Sequence, residues 1–387
     1  MTEHYTDKGH LLIRNSDIKD GYFEFGENPI YLDEEFSEQN KSRMHQLGDV
    51  ITVHTGDIGT SAVIGENEVN SIGFATIVTR PNQEILDSNY FATYLNTDTH
   101  KQWAVSMATG DGRSNYNLKD YTKLVVPIPE IEEQKKIAAC IVNINSLITL
   151  HQRKCDEVKS LKKYMLQKMF PQNEQKVPEI RFEGFTEAWE QRKVDKVMSC
   201  ITDYVAAGSF ADIRNNVTYL AQDGYAQLVR TVDLKNKFNN HDFVYVGENA
   251  FEYLWRVNLN EECIVLPNIG ANIGEVYYIK PSDLPEEHNV LGPNAILLKT
   301  KEDNYFVFTA LNTDRFQSQL FENVGSSGQP KFNKTELKTI NLIIPKYEEQ
   351  KKIGAYFSNL DHLITLHQQK CEELKKIKKF MLQKMFV

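Results

Sequence analysis

The most constraining feature of this 387-residue chain is a 39-residue segment that occurs twice. Residues 132–170 return 216 positions later as residues 348–386, and 26 of the 39 aligned positions are identical without a gap. This period is far longer than the roughly 20–50 residues of a solenoid repeat. We therefore expect the chain to be built from two copies of one module and to have approximate two-fold symmetry.

Within each copy, apolar residues recur in alternating steps of four and three, which predicts a long helix with a heptad seam. The predicted seam residues are Ile137, Ile141, Ile144 and Ile148 in the first copy and Ile353, Phe357, Leu360 and Ile364 in the second. Each apolar stripe must pack against another apolar surface, and the stripe of the other copy is the most similar one in the chain. We predict that the two helices pack as an antiparallel coiled coil. The alternative is that each helix lies on its own domain.

The segments outside these helices contain short β-branched and aromatic runs, which are typical of mixed α/β domains. Residues 12–18 resemble 228–234, and 95–98 match 311–314, so the two segments are expected to share a fold. The predicted class is therefore α/β, with two mixed α/β domains and two long helices. The predicted ranges are 1–130 for the first domain, 131–170 for its helix, 171–180 for a linker, 181–346 for the second domain and 347–387 for the second helix.

Charge and cysteine content narrow the class of protein. The net charge of −9 for the whole chain argues against a nucleic-acid partner. The two repeated segments, however, carry net charges of about +4 and +3. Five cysteines without a CxxC pair indicate reduced thiols. The polar N-terminus and the lack of an apolar run of about 18 residues predict a cytoplasmic protein without a membrane partner.

Motifs of catalysis are absent from the sequence. It contains no AsnProProTyr or AspProProTyr motif of adenine methyltransferases, no GxxxxGK[ST] loop and no HExxH helix. We therefore predict no catalytic residue. His151 and Cys155, with His367 and Cys371, have a spacing that could form a Cys₂His₂ zinc set. Polar seam residues that fix the register of the helices are the favoured interpretation, so no metal site is predicted.

Three features resemble the specificity subunit of type I restriction-modification systems. They are the repeated GluGluGlnLysLysIle opening, the repeated MetLeuGlnLysMetPhe ending and ArgPheGluGlyPheThrGluAlaTrpGlu at 181–190. The resemblance, which covers essentially the whole chain, implies a non-catalytic subunit whose two target-recognition domains each read half of a bipartite double-stranded DNA site. It also implies that the paired helices set the spacing and dock two modification subunits, which hold S-adenosylmethionine and methylate adenine at N6. Restriction subunits can join such complexes, and no cofactor is expected in this chain.

Two glycine-rich polar loops, 109–117 and 325–333, occupy matching positions, and shorter glycine turns lie at 56–59 and 270–274. In the family the longer loops approach DNA. Glycine lets backbone N–H groups come close to phosphates, and polar side chains can reach base edges. The residues predicted to contact DNA are Arg14, Thr55, Arg113, Ser114, Asn115, Arg230, Asn268, Asn272, Ser326, Ser327, Gln329 and Lys331. Ordinary solvated turns are the alternative for the loops, and a local brace with Asp17 or Asp233 is the alternative for the two arginines.

The two modules differ at their openings. About 45 residues, from roughly 177 to 222, precede the part of the second module that matches residues 6–10, and the first module has no counterpart to them. The chain is therefore expected to begin inside its first recognition domain. This leaves an alternative function, in which a shortened specificity subunit acts as an assembly or decoy protein with one competent reading domain.

Overall fold

A computed structural model describes residues 2–109, 114–324 and 330–386 of the chain. Contacts divide the chain into two compact units, which are residues 1–154 with 366–387, and residues 155–365. The boundaries predicted from the sequence fall at the ends of the long helices, whereas this division falls near the middle of each helix. Each long helix therefore contributes to both units.

The first unit contains small sheets with helices packed on them. Its strands are β1 (Tyr5–Thr6), β2 (His10–Arg14), β3 (Ile18–Lys19), β4 (Tyr22–Phe23), β5 (Tyr31–Leu32), β6 (Val50–Val53), β7 (Ser61–Val63), β8 (Ile72–Phe74) and β9 (Thr76–Thr79). Its helices are α1 (Glu34–Gln39), α2 (Ser88–Leu95), α3 (Asp98–Met107), α4 (Leu118–Tyr121) and the first part of α5 (Ile131–Met169). The strand orders are β1-β5-β2-β8, β3-β4 and β7-β6-β9.

The second unit has the same mixture of short strands and helices. Its strands are β10 (Glu190–Lys193), β11 (Met198–Asp203), β12 (Ala226–Val229), β13 (Tyr245–Val246), β14 (Cys263–Pro267), β15 (Tyr277–Ile279), β16 (Asn289–Leu291), β17 (Ala295–Thr300) and β18 (Asn341–Ile344). Its helices are α6 (Val194–Val197), α7 (Phe210–Asn216), α8 (Thr231–Lys235), α9 (Glu248–Tyr253), α10 (Asn304–Leu311), α11 (Asp314–Glu322), α12 (Lys334–Thr339) and the first part of α13 (Tyr347–Met385). The strand orders are β10-β18, β11-β17-β14-β15 and β13-β12-β16.

Helix caps repeat at the same offset as the long helices. Asp87 accepts a hydrogen bond from Tyr90 N at the start of α2, and Asp303 accepts one from Phe306 N at the start of α10. Thr97 and Thr313 cap the following helices in the same way. An aspartate or threonine at this position satisfies a backbone N–H that the helix itself leaves unpaired. The two modules therefore begin these helices in the same way, although their sequences share few identities outside α5 and α13.

The central sheets of the two units can be matched strand by strand. Ile51 of β6 pairs with Val78 of β9, and Val265 of β14 pairs with Leu297 of β17. The strands β7-β6-β9 therefore correspond to β15-β14-β17. The second unit adds β11 beyond β17, whereas no strand in the described residues lies beyond β9.

The predicted seam is buried in the first unit. Ile141 and Ile144 of α5 form a cluster with Leu374 of α13, and Met381 and Leu382 pack against that cluster. Ile137 packs with Ala138 and Tyr90, and Phe386 lies against them, so the beginning of α5 meets the end of α13. Cys371 Sγ donates to Ile148 O at 3.6 Å. The predicted antiparallel packing is confirmed in this unit, and Tyr90 adds a contact to the helix's own domain.

In the second unit the other halves of the two helices pack in the same antiparallel sense. Ile353, Phe357 and Leu360 share one core cluster with Met169 and Phe170 at the end of α5. Cys155 Sγ donates to Ile364 O at 3.9 Å. The predicted α/β class with paired long helices is therefore confirmed. No helix in the described residues has the length and apolar character needed to cross a bilayer.

Shortening the seam residue Ile141 to alanine should destabilise the first unit by about 2–3 kcal/mol, because a buried side chain leaves a cavity. Leu147 lies on the same helix but is largely exposed. Leu147→Ala is therefore the matched control and should cost less than about 0.5 kcal/mol. Urea unfolding followed by circular dichroism measures both effects, and equal losses in the two variants would contradict the assigned seam.

Two buried histidines make the first unit sensitive to acid. Burial lowers the pKa of His45 and of His100 from 6.5 to about 4. His100 Nδ1 donates to Leu95 O at 2.6 Å, and its position in the second unit is taken by the buried Phe316. Because the folded pKa lies below the unfolded one, the unfolded chain binds more protons between these two values.

Above pH 6.5 these two histidines should therefore not change the free energy of unfolding of the first unit. As the pH drops from 6.5 towards 4, that free energy should fall. At pH 5 the loss should reach about 2 kcal/mol for each histidine. Thermal unfolding of the full chain at pH 7.5 and pH 5 tests this. His100→Phe should reduce the pH dependence, and an unchanged dependence in that variant would refute the assignment.

Candidate nucleic-acid interface

The two glycine-rich segments predicted in the first module lie next to each other. Thr55 Oγ1 donates to Ser114 O at 3.1 Å and to Asn115 Oδ1 at 2.9 Å. Tyr116 N donates to His54 O at 2.8 Å, which extends the same connection. Thr55, Ser114 and Asn115 therefore form one patch, with the Ser114 side chain exposed. Arg113 lies outside the described residues.

The second unit joins the corresponding segments through its backbone. Gly270 N donates to Pro330 O at 3.0 Å, and Phe332 N donates to Asn268 O at 3.1 Å. Asn268 Nδ2 also donates to Phe332 O at 3.1 Å. Lys331, which forms a bridge with Ile269 in this connection, is exposed. Ser326, Ser327 and Gln329 lie outside the described residues.

One glycine in each unit makes the turn beside this connection. Gly56 has φ of 91° and Gly270 has φ of 93°, a conformation that favours glycine. A Cβ atom placed at either position would meet nothing within 4 Å. The backbone is therefore open to solvent at both turns, which is the access that a phosphate group requires.

Arg14 and Arg230 each form the local brace that was the alternative to a DNA contact. Arg14 Nε and Nη2 donate to the buried Asp17 at 3.0 and 2.8 Å. Arg230 donates to the buried Asp233 in the same way, at 3.1 and 2.8 Å, and also to Asp242 O at 2.8 Å. The carboxylate raises the pKa of each arginine above its ordinary value. Both arginines remain half-buried, and their contact with DNA stays a prediction.

Residues 4–160 and 202–376 match the type I restriction modification DNA specificity domain. The chain belongs to this family. The resemblance predicted from the repeated helix is therefore confirmed, and the two matched regions correspond to the two modules.

Specificity subunits from several organisms are similar to this chain. It is 22% identical over 351 residues to the type I restriction enzyme MjaVIII specificity subunit of Methanocaldococcus jannaschii, a match that covers 88% of this chain and 78% of that protein. It is 28% identical over 129 residues to the type I restriction enzyme EcoBI specificity subunit of Escherichia coli, which covers 33% of this chain and 27% of that one. The crystal structure of the type I restriction-modification S subunit from M. genitalium has a TM-score of 0.64 at 14% identity and covers 100% of this chain and 91% of that chain. That likeness shows the fold alone.

Asn272, the remaining residue predicted to contact DNA in this specificity-family chain, forms a hydrogen bond within the protein. Asn272 Oδ1 accepts a hydrogen bond from Lys235 Nζ at 2.7 Å, and the same lysine pairs with Glu275 at 2.9 Å. Asn272 is half-buried and lies between Gly270 and Gly274, the two glycines of this turn. A role of Asn272 in base recognition stays a prediction.

Sequence reasoning missed a cleft beside Asn268. The cleft has a volume of about 480 Å³, and Tyr204, Phe210, Arg214 and Tyr219 line it together with Asn268. Phe210 is 81% exposed, which is unusual for a large aromatic side chain in a folded unit. Aromatic rings and a guanidinium group in one concave surface can stack a nucleic-acid base. One feature of the sequence could have indicated this cleft. The aromatic residues and the arginine that line it fall within residues 177–222, which have no counterpart in the first module.

The His and Cys residues of the seam do not form a four-residue set in either unit. In the first unit His151 Nδ1 lies 3.0 Å from His367 Nδ1. The cysteines are instead directed at backbone carbonyls of the partner helix. Among the residues that the structure describes, no group of three or more His, Cys, Asp or Glu side chains is arranged to hold a metal ion. A role of these residues in fixing the register of the two helices stays a prediction.

Proposed function

We propose that this chain is the DNA-reading subunit of a type I methyltransferase complex and that its two units read different half-sites. The observation that carries the proposal is the repeated connection between a glycine turn and a polar loop. In one unit the connection presents Thr55, Ser114 and Asn115, and in the other it presents Asn268 and Lys331. A shared scaffold with unlike polar side chains is suited to reading two unlike sequences.

The long helices supply the second part of the proposal. Their near-identity fits a surface that meets the same kind of partner twice, which we infer to be two modification subunits. S-adenosylmethionine and the methyl transfer to adenine N6 belong to those subunits, and this chain performs neither methylation nor cleavage itself. A helix of 39 residues is roughly 58 Å long and can set the distance between two reading units.

Charge supports dependence on partner surfaces. Outside the two repeated segments the chain has a net charge of about −16. On the helices, Lys162 pairs with Asp361 at 2.6 Å, and Lys378 pairs with Asp20 at 2.9 Å, so part of the helical positive charge is neutralised internally. Affinity for DNA rests largely on cations that neutralise phosphates. We therefore expect the isolated chain to bind DNA weakly at physiological salt.

The test is methylation by the complex of this chain with its modification subunits. Sequencing of N6-methyladenine first identifies the bipartite site, and duplexes are then prepared with one half-site changed or with the spacer altered by one base pair. Each change should abolish methylation. Indifference to one half-site would refute reading by two units and would support a subunit with one competent domain. Indifference to the spacer would refute the role of the helices in setting the distance.

A further inference from the structure

The cleft beside Asn268 is large enough to hold a ligand. Its volume of about 480 Å³ falls within the range of about 300–1,000 Å³ that is typical of ligand sites. All of its lining residues belong to the second unit. Asn268 lies both in the cleft and in the connection between the glycine turn and the polar loop, so the cleft adjoins the candidate nucleic-acid interface.

An anchored helix holds Phe210 at the cleft. The helix α7 begins at Phe210, and Ser209 and Asp212 cap its start reciprocally with hydrogen bonds of 3.1 and 3.2 Å. Ile213 of α7 and Val217 just after it pack into the core of the second unit, where each is 8% exposed. Phe210 is therefore exposed although the helix that carries it is fixed at both ends.

Two tyrosines add aromatic surface to the same cleft. Tyr219 Oη donates to Tyr204 Oη at 3.1 Å. Tyr204 is buried, whereas Tyr219 is 53% exposed. This bond fixes the hydroxyl of Tyr219 while more than half of the residue stays accessible. Phe210 and Tyr219 therefore provide two accessible aromatic rings in one concave surface.

Asparagine side chains supply hydrogen-bonding groups to the cleft. Asn268 Nδ2 donates to Phe332 O at 3.1 Å. Among the residues that the structure describes, no hydrogen bond occupies Oδ1 of Asn268 or the side-chain amide of the exposed Asn294. The amide groups of asparagine match the donors and acceptors on the edge of a base.

Arg214 brings a positive charge to the cleft. It is exposed and follows Phe210 by four residues, so the two side chains lie on the same face of α7. Asp203, which also lines the cleft, is paired with Lys334 at 2.7 Å. Within the described part of the chain, Arg214 forms no ion pair. A guanidinium group in this state is suited to binding a phosphate.

The combination of aromatic rings, amide groups and a guanidinium group matches a nucleotide. In a duplex, neighbouring bases cover both faces of each base, and only the base edges are open to the grooves. The rings of a protein cleft therefore reach the face of a base only when that base has left the stack.

We propose that the cleft receives one unstacked base of the DNA that the second unit reads, an inference that rests on the proposed function. The base lies against Phe210 and Tyr219, its edge meets the asparagine amides, and its flanking phosphate is bound by Arg214. Such a site selects sequences by how easily a base leaves the stack. Contacts of the polar loops with base edges do not sense this property.

The test measures the DNA affinity of the complex of this chain with its modification subunits, by the anisotropy of a fluorescein-labelled duplex that carries the bipartite site. In the half-site whose requirement Lys331→Ala relaxes, each base pair is replaced in turn by a mismatch, first by changing one strand and then the other. Because a mismatched base leaves the stack at a lower cost, one position should bind at least about threefold more tightly when mismatched. A gain at the methylated adenine belongs to the modification subunits and should persist in every cleft variant.

Phe210→Ala is the decisive variant. It should abolish the gain at the mismatched position and weaken binding of the matched duplex about 5–100-fold, which corresponds to the loss of one base–aromatic stack. Phe210→Trp keeps an aromatic ring and should retain both. Tyr225→Ala is the matched control, because Tyr225 is 42% exposed in the same unit, stacks on His288 and does not line the cleft. It should leave binding unchanged, and circular dichroism checks that each variant is folded.

Arg214→Gln separates the phosphate contact from the base contact. It should weaken binding of the matched and mismatched duplexes equally. It should also lower the slope of log affinity against log salt concentration by about 0.9, the value for one phosphate contact.

Failure of the complex to prefer the bipartite duplex over a scrambled one would refute the proposed function, and this inference with it. Where that preference holds, the inference alone is overturned if no mismatch apart from that at the methylated adenine raises affinity, or if the gain persists in Phe210→Ala. It is also overturned if Phe210→Ala reduces assembly with the modification subunits in sedimentation velocity without DNA, while the assembled complex binds both duplexes as before. The cleft would then hold a side chain of the partner protein.

Discussion

Replacing Glu349 by glutamine should destabilise the second unit by about 3–5 kcal/mol, because the change leaves the guanidinium group of Arg181 buried without its counter-ion. The Glu349 side chain is 1% exposed and that of Arg181 is 12% exposed, so water cannot replace the lost carboxylate. Urea unfolding followed by tryptophan fluorescence measures the effect, since Trp189 lies in the core of the same unit.

Two comparison variants make this prediction specific. Glu133→Gln alters the equivalent residue of the first unit, which is exposed, and should change the free energy of unfolding by less than about 0.5 kcal/mol. The double variant Arg181→Leu with Glu349→Leu removes both charges and should recover a large part of the loss. Equal costs for the two single glutamine variants would contradict the assigned burial of the ion pair.

The second large effect concerns half-site selection. Asn115→Ala and Lys331→Ala should each lower methylation by the complex about 10–100-fold, the cost of one lost side-chain contact to a base edge or its phosphate. Asn115→Ala should relax the requirement at one half-site only, and Lys331→Ala at the other. Initial rates of methylation are measured on the intact site and on duplexes with single changes in each half.

Lys119 provides the control for the loss of a charged side chain. It is exposed on α4 of the first unit and outside the connection formed by Thr55 and Asn115. Lys119→Ala should leave both half-site requirements unchanged. If it lowered methylation as much as Lys331→Ala, the effect would come from general charge and not from recognition at the predicted loop.

Much of the architecture could be predicted because it depends on local periodicity. The heptad spacing predicted the stripe that includes Ile141 and Phe357, and the identity of the two segments predicted that each helix would find a partner in the other. The loops around Thr55 and Asn115 were predicted as separate segments. Their hydrogen bonds could not be predicted, because contacts between residues 60 positions apart depend on tertiary packing.

Other features of the site are not encoded in spacing. The three-residue separation of Arg14 and Asp17 is equally compatible with a brace and with a phosphate contact, and only the bidentate geometry shows that the brace forms. Phe210 is exposed at the cleft, and nothing in its sequence context distinguishes it from a core residue. An exposed aromatic side chain looks the same in sequence as a buried one when it lies in a short helix without clear periodicity.

The division of the long helices between the units has a consequence for how the chain is made. The second unit consists of one continuous range, 155–365, whereas the first needs residues 366–386 in addition to residues 2–154. Translation proceeds at about 5–20 residues per second, and domains generally fold as they emerge. Here the second unit has all of its residues before the first does. The module that is synthesised first is therefore the last that can be completed, and until then the apolar face of Ile141 and Ile144 on α5 lacks its partner Leu374.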